Sequence, residues 1–234
     1  MSKLAFISDI HGNLPALQSV LEDISSLKVD GIYCLGDLVG YYAEINEVIE
    51  IIKKNNITCC MGNHDYALVH NKGIIPRSKT CTNVLTRQLE YISHDNFNFI
   101  KGLPDKLEFI FDSKTFFCVH GGLNNHIDEY INLNNEKYFD SVRGKYDIVI
   151  TAHNHIPTVI NYDNFLYGNC GSIGQPRDHN PKSSYLVYDN GSLEIKRVKY
   201  NIDEVKEQMG QMGFPDYISD VLYKGFRIGE YGDK

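Results

Sequence analysis

Seven side chains able to ligate a metal ion stand in five short islands of this sequence: Asp9 with His11, Asp37, Asn63, His120, and His153 with His155. Each island follows a short apolar or β-branched run that reads as a strand. Strands ending side by side would gather all seven side chains at one edge of a sheet, where open parallel sheets bind their ligands. Carboxylates mixed with imidazoles suit a borderline divalent ion such as manganese, iron, nickel, cobalt or zinc. Asp37 stands alone, and one carboxylate can bridge two ions through its two oxygens. The pairs Asp9 with His11 and His153 with His155 each fall on one side of an extended segment. Gly12 then lets the backbone turn beside the site. The chemistry so implied is metal-dependent hydrolysis.

Taken singly, each island has a plain structural reading. An aspartate after a strand often caps a helix or closes a turn. Asn63 after Gly62 could be a turn, and His120 beside Gly121 and Gly122 could be structural. Those readings do not account for five islands recurring at strand ends in this order.

The elements that must position the islands alternate in the first half. Lys3–Ser8 reads as a strand, and the segment after Asn13 has helical periodicity with Pro15 near its start. Gly31–Leu35 reads as a strand, Glu44–Lys54 as a helix and Ile57–Met61 as a strand, a succession that implies parallel pairing. Residues 64–101 read as helices around a loop at Lys72–Arg77. Beyond Pro104 the pattern turns to strands: Lys106–Phe111, Thr115–Val119, Ile148–Thr151, Thr158–Tyr162, Phe165–Gly168, Ser184–Tyr188 and Leu193–Lys199. Asn190 with Gly191 signals a hairpin between the last two. A helix is expected within residues 124–145. The tail is expected to be helical from Ile202 to Phe226 with a break near Gly213–Pro215. The whole chain, 1–234, reads as one α/β domain with a helical tail over about 202–234: a central pair of sheets with helices outside.

Composition bounds the partners. The chain has 234 residues, 42% of them hydrophobic, and 23 basic against 30 acidic residues leave a net charge of −7. That balance argues against a surface built for nucleic acid or acidic membranes. There is no apolar run of the length a transmembrane helix needs, and the N-terminus enters a strand-like run without the marks of a secretory signal. Six cysteines (34, 59, 60, 81, 118 and 170) form no CxxC pair and read as buried reduced thiols of a cytoplasmic protein.

The motifs FISDIHGN (6–13), GDLVGY (36–41), GNHD (62–65), VHGG (119–122) and TAHNH (151–155) together resemble those of calcineurin-like metallophosphoesterases. The resemblance runs from residue 4 to about residue 190. GDLVGY and CGSIGQPRD (170–178) are similar to a bacterial and archaeal subgroup of small phosphodiesterase type. It implies a four-layer α/β/β/α sandwich, two mixed β-sheets flanked by helices, with a binuclear site on one edge. One ion would be held by Asp9, His11, Asp37 and His155. The second would take Asp37, Asn63, His120 and His153. Two divalent transition-metal ions are expected, manganese favoured among manganese, iron, nickel, cobalt and zinc. The charge of two such ions exceeds that of Asp9 and Asp37, so an acidic protein can still attract a phosphate. Ions about 3.5–4 Å apart would activate a shared water for in-line attack and clamp the phosphoryl oxygens. His64 matches the family's general acid or phosphate ligand, a role worth roughly 10²–10⁴-fold in rate.

Three departures bear on the substrate. Protein serine/threonine phosphatases of the superfamily read GDxVDRG, whereas Gly40 and Tyr41 stand here where that motif has Asp and Arg. The acid partner of His64 and one phosphate-gripping arginine are therefore missing, and Asp65 reads as a helix-start residue. Ala152 replaces a glycine of the usual GHTH, with metal binding expected to be retained. VHGG runs into the asparagine-rich LNNHIDEY, where His126 is expected to face solvent. Arg177 is the best candidate for gripping a phosphate, against the alternative of a loop salt bridge to Asp178. Tyr41 and Tyr42 could stack on a base or pack as rim aromatics. His70, His94 and His179 fit no island. The expected activity is hydrolysis of a small phosphodiester or phosphomonoester, by a monomer or a homo-oligomer. Ap4A-type dinucleotide hydrolysis and serine/threonine phosphoprotein phosphatase activity are the enzyme alternatives. A non-catalytic metal-binding scaffold is the rival class, disfavoured by the presence of His64 and every candidate ligand.

Overall fold

Ten strands run along the described chain: β1 (Lys3–Ile7), β2 (Gly31–Cys34), β3 (Thr58–Cys59), β4 (Lys106–Phe111), β5 (Lys114–Val119), β6 (Ile148–Thr151), β7 (Thr158–Tyr162), β8 (Phe165–Asn169), β9 (Ser183–Asp189) and β10 (Ser192–Val198). The helices are α1 (Leu14–Leu27), α2 (Ile45–Lys54), α3 (Asn63–His70), α4 (Lys79–Tyr91), α5 (His94–Lys101), α6 (Ile202–Gln211) and α7 (Tyr217–Asp220). The computed structural model describes residues 2–70, 79–163 and 165–229. The loop expected at Lys72–Arg77 and the last residues of the tail lie outside them.

Two five-stranded mixed sheets form, in the orders β10-β9-β1-β2-β3 and β4-β5-β6-β8-β7. Parallel pairing links β1, β2 and β3 in the first sheet, with Ile7 level with Cys34 and Cys34 level with Cys59. In the second it links β5, β6 and β8, with Cys118 level with Ile150 and Thr151 with Asn169. The remaining neighbours pair antiparallel. The parallel strands end in register, so the residues that follow them emerge along one edge.

Alternation along the strands separates the inner and outer faces. Leu4 and Phe6 of β1, Phe116 and Cys118 of β5, Ile148 and Ile150 of β6, and Leu186 and Tyr188 of β9 fill the space between the sheets. Phe116 stacks on Phe6 at 5.8 Å and meets Tyr188 edge-on at 5.1 Å. Burial of each such ring contributes about 1.5–3 kcal/mol. The outer face of the first sheet is covered by α1 through Ala16, Leu17, Val20 and Ile24, and by α2 through Ile45, Val48, Ile49 and Ile52. Both sets repeat at the three- and four-residue spacing of an amphipathic helix. Asn13 caps α1 by accepting the Ala16 N–H at 3.1 Å, just past the first island. All six cysteines are buried free thiols.

The expected helix within 124–145 is not formed; the segment holds one 3₁₀ turn, Glu136–Phe139. Its polar side chains satisfy their own backbone instead, the competition that keeps asparagine out of helices. Asn125 Oδ1 accepts from the N–H groups of Ile127 and Asp128, and the Glu129 carboxylate accepts from those of Asn124 and Asn125. Phe139 and Val142 of this segment cover the outer face of the second sheet against Val149, Phe165 and Tyr167. No helix among the described residues is long and apolar enough to cross a membrane.

Candidate metal centre

The island residues leave their strands by an abrupt change of backbone. Asp9, His11, Asp37, His153 and His155 all have positive φ, between 52° and 71°. The pairs Asp9 with His11 and His153 with His155 are therefore not same-side members of an extended segment, as alternation alone implied. Left-handed backbone at non-glycine residues costs of order 1–3 kcal/mol and persists only where surrounding structure imposes it. Here the first two loops impose it on each other. Asp9 N–H donates to Gly36 O at 3.0 Å, and the N–H groups of Ile10 and His11 both donate to Asp37 O at 2.9 Å.

These turns bring all seven side chains together around Asp37. On one flank, Asp9 Oδ1 lies 3.1 Å from His155 Nε2 and 3.8 Å from His11 Nε2. The two imidazole nitrogens are 3.3 Å apart. On the other flank, His120 Nε2 lies 3.1 Å from Asn63 Oδ1 and 3.2 Å from His153 Nδ1. Asp37 Oδ2 stands between, 3.7 Å from His11 Nε2 and 3.4 Å from His120 Nε2. Asp9–His11–His155, His11–Asp37–His64 and Asp37–His120–His153 are each close enough to hold a metal ion.

The donor set fits a cation in its details. Each island imidazole has one nitrogen committed to an oxygen and the other turned into the cluster. His11 Nδ1 pairs with Val39 O at 2.9 Å, His120 Nδ1 with Leu35 O at 2.7 Å and His155 Nδ1 with Gln175 O at 2.5 Å. A carbonyl can only accept, so each Nδ1 carries a proton and Nε2 is the nitrogen that faces inward, the usual support of a metal-ligating histidine. His153 is reversed: its Nε2 lies 3.3 Å from Asp128 Oδ1 and its Nδ1 faces the cluster. Asp9 Oδ1 is buried without a hydrogen-bond donor among the described residues.

Electrostatics agree. Burial pushes the Asp9 carboxyl up, but His155 and His120 outweigh it and hold it well below the ordinary range. Asp37 is likewise raised by burial and lowered further by His120 and His64. Burial depresses His11, His153 and His155 and takes His64 down to about 4. Against the same burial, Asp37 and Asp9 raise His120 to about 10. The pocket thus holds two ionised carboxylates with His11, His64, His153 and His155 depressed, while a metal ion on His120 would displace the proton that the carboxylates hold there.

His64 lies beside the cluster with Nε2 4.0 Å from Asp37 Oδ2, and its backbone N–H donates to Asp37 Oδ1 at 2.8 Å. Gly40 faces its other side: a Cβ there would run into the His64 ring. Tyr41 packs on His64 and His11 with ring centroids 4.8 and 4.7 Å apart. Arg177 reaches this corner from the loop after β8. Its Nη2 donates to Tyr41 Oη at 3.2 Å and to Gln175 Oε1 at 2.5 Å, and its guanidinium lies over the Tyr41 ring at 5.6 Å. The loop salt bridge weighed for Arg177 is made by another residue, since Asp178 pairs with Arg197. Tyr42 is fully buried, its hydroxyl accepting from Gln175 Nε2 at 3.3 Å, so packing is its role. Ala152 fits without disturbance, its N–H donating to His120 O at 3.0 Å. His126 pairs with Asp105 at 3.0 Å, and His70, His94 and His179 are outside the cluster.

Four contributors escape sequence reasoning. Asp65 does start α3, but its buried carboxylate accepts the N–H groups of Asp37, Leu38, Val39 and Gly62. Gln88 of α4 accepts Gly40 N–H at 2.9 Å and donates to Tyr42 O at 2.8 Å, fixing the 40–42 loop. Asp128 backs His153, and Tyr130 stacks on the same ring at 4.3 Å. The one available signal was GNHD itself, whose Asp follows two island residues; the others lie in stretches without a distinctive pattern.

With this geometry in view, the family model for the calcineurin-like phosphoesterase superfamily domain matches residues 2–192. The chain belongs to the calcineurin-like phosphoesterase superfamily. An uncharacterized protein of Methanocaldococcus jannaschii is 32% identical over 96% of this chain and 98% of its own length. Phosphodiesterase YfcE of Escherichia coli is 24% identical, covering 83% of this chain and 91% of its own. A metallophosphoesterase from Sphaerobacter thermophilus superposes with a TM-score of 0.81 at 25% identity, over 96% of this chain and 99% of that one. The sandwich and the hydrolytic class expected from the islands are thus those of this calcineurin-like phosphoesterase.

Proposed function

We propose that the chain is a two-metal phosphoesterase acting on small phosphodiesters or phosphomonoesters. The observation that carries this reading is Asp37 Oδ2 standing within 3.4–3.7 Å of imidazole nitrogens on both flanks. Asp9, His11, Asp37 and His155 would hold one ion, and Asp37, Asn63, His120 and His153 the other, with manganese the favoured metal. Bound ions would supply Lewis-acid charge for the phosphoryl oxygens and activate the attacking water. His64, beside Asp37, and Arg177, on Tyr41 and Gln175, would bind the phosphate or assist the leaving oxygen. Likeness to the phosphodiesterase YfcE supports a diester. Gly40 opposite His64 speaks against the phosphoprotein phosphatases, which need an Asp there. Residues 1–234 would form one cytoplasmic domain, and the net charge of −7 favours a small phosphoester over nucleic acid as partner.

Purified protein should hydrolyse bis-p-nitrophenyl phosphate or p-nitrophenyl phosphate when manganese is supplied, and lose turnover on chelation. No metal-dependent turnover across a broad phosphoester panel, with metal occupancy confirmed by element analysis, would overturn the reading.

A further inference from the structure

His64 sits among metal-competent histidines, close enough to His11 and Asp37 to form a ligand group with them. Its surroundings differ from theirs at one atom. The Nδ1 atoms of His11, His120 and His155 each meet a backbone carbonyl, which fixes the proton on Nδ1. His64 Nδ1 instead meets the Sγ of Cys81 at 3.7 Å. A carbonyl can only accept, whereas a thiol can donate. Cys81 is buried on α4, in the core cluster that also holds Val84 and Leu85. The same face of α4, seven residues on, carries Gln88, which fixes Gly40. Gly40, at φ 95°, leaves no room for a side chain between its backbone and His64 Nδ1. The acid seat of the GDxVDRG motif is therefore closed, and a thiol approaches the same nitrogen from another element.

We infer that Cys81 is the positioning residue of His64: its S–H donates to Nδ1 and holds the imidazole as the Nε2–H tautomer. An Nε2–H pointing toward Asp37 cannot ligate a metal through that nitrogen, which separates His64 from the island histidines. What it can do is donate a hydrogen bond to a phosphate oxygen seated at the cluster. This last step rests on the proposed phosphoesterase reading; the tautomer does not.

The test uses full-length, zinc-loaded, ¹⁵N-labelled protein, with His64 assigned by comparison with His64→Gln. Wild type should show His64 protonated on Nε2 with Nδ1 bare, Cys81→Ala should shift protonation toward Nδ1, and Cys81→Ser should retain the wild-type tautomer. With manganese and bis-p-nitrophenyl phosphate, Cys81→Ala should lower kcat/KM about 3–10-fold, the scale of one modest hydrogen bond. Metal stoichiometry should not change, and Cys81→Ser should recover most of the loss. In the His64→Gln background Cys81→Ala should cost nothing further. A wild-type His64 protonated on Nδ1, a metal-bound Nε2, or an undiminished loss in the double variant overturns the inference. If wild type turns over no phosphoester, the functional reading fails, while the resonances still decide the tautomer. They do so in wild type even if Cys81→Ala does not fold.

Discussion

Asp65 Oδ2 accepts the backbone N–H of Asp37 at 2.8 Å, so the carboxylate that joins the two flanks of the cluster is itself held by a second, buried carboxylate. Asp65 also takes the N–H groups of Leu38, Val39 and Gly62, and thereby ties the loop after β2 to the start of α3. Four amide donors on one carboxylate leave little room for an isostere. Asp65→Asn keeps the volume but turns an NH₂ group toward amide hydrogens. Buried donors left unmet cost about 1–3 kcal/mol each. The variant should lose about 2–4 kcal/mol in denaturant unfolding in the presence of a chelator, and bind less than the wild-type complement of manganese. Wild-type stability with full metal content would show that the loop holds its shape without this residue.

Metal should act as a structural ligand as well as a chemical one. Asp9 and Asp37 are fully buried charges, and Asp9 Oδ1 lacks a hydrogen-bond donor among the described residues. A cation bound by the folded state alone stabilises it by about 2.7 kcal/mol at a concentration 100-fold above Kd. Manganese at that excess should raise the unfolding free energy by about this amount, and Asp37→Asn should erase the effect. An equal response in wild type and Asp37→Asn would place the stabilising ion elsewhere.

Gly40 separates two readings of the GDLVGY departure. Were it a mere loss, Gly40→Asp would restore the acid partner of His64 and raise activity. The backbone there is left-handed and a Cβ would run into the His64 ring. Gly40→Asp should therefore lower kcat at least about 10-fold while metal content persists, since the island ligands stand on other residues. Higher kcat on either nitrophenyl ester would contradict this.

The fold was legible where periodicity and ligand spacing acted together. Each expected strand formed, because short apolar runs such as β1, β5 and β9 are buried along most of their length. The islands sat at strand ends as read, yet their backbone was not extended. Left-handed φ at Asp9 or His153 comes from hydrogen bonds between loops far apart in sequence, which no local pattern encodes. The helix expected within 124–145 failed for a local reason visible in retrospect, its asparagines bonding their own backbone. Cys81 and Gln88 were hidden because their significance depends on where α4 docks.

Under the proposed function, Arg177 braced on Tyr41 would stand in for the missing arginine. The guanidinium is braced by Gln175 Oε1 and Tyr41 Oη, so Arg177→Lys, which cannot make the same planar contacts, should behave almost as Arg177→Ala. Both should raise KM for bis-p-nitrophenyl phosphate about 10-fold, the scale of one charge-assisted hydrogen bond. Tyr41→Phe should give a smaller rise of about 2–3-fold by releasing one brace. Unchanged KM in Arg177→Ala would remove Arg177 from phosphate binding.

Away from the cluster, Glu44 should make stability fall as pH rises. It precedes α2, its Oε2 is buried without a hydrogen-bond partner among the described residues, and burial with the charges of Glu47 and Glu204 raises its carboxyl to about 7. In the unfolded chain a glutamate titrates near 4.3. Between those values the unfolded state has released a proton that the fold retains, so the fold loses stability through this window and recovers none above it. Glu44→Gln removes the titration and keeps the shape. Its thermal midpoint should exceed that of wild type at pH 8, and the gap should shrink on acidification to its low-pH value near pH 4. The side chain is partly exposed, so solvent screening keeps the effect modest. A pH-independent difference between the two proteins would show that Glu44 titrates alike in both states.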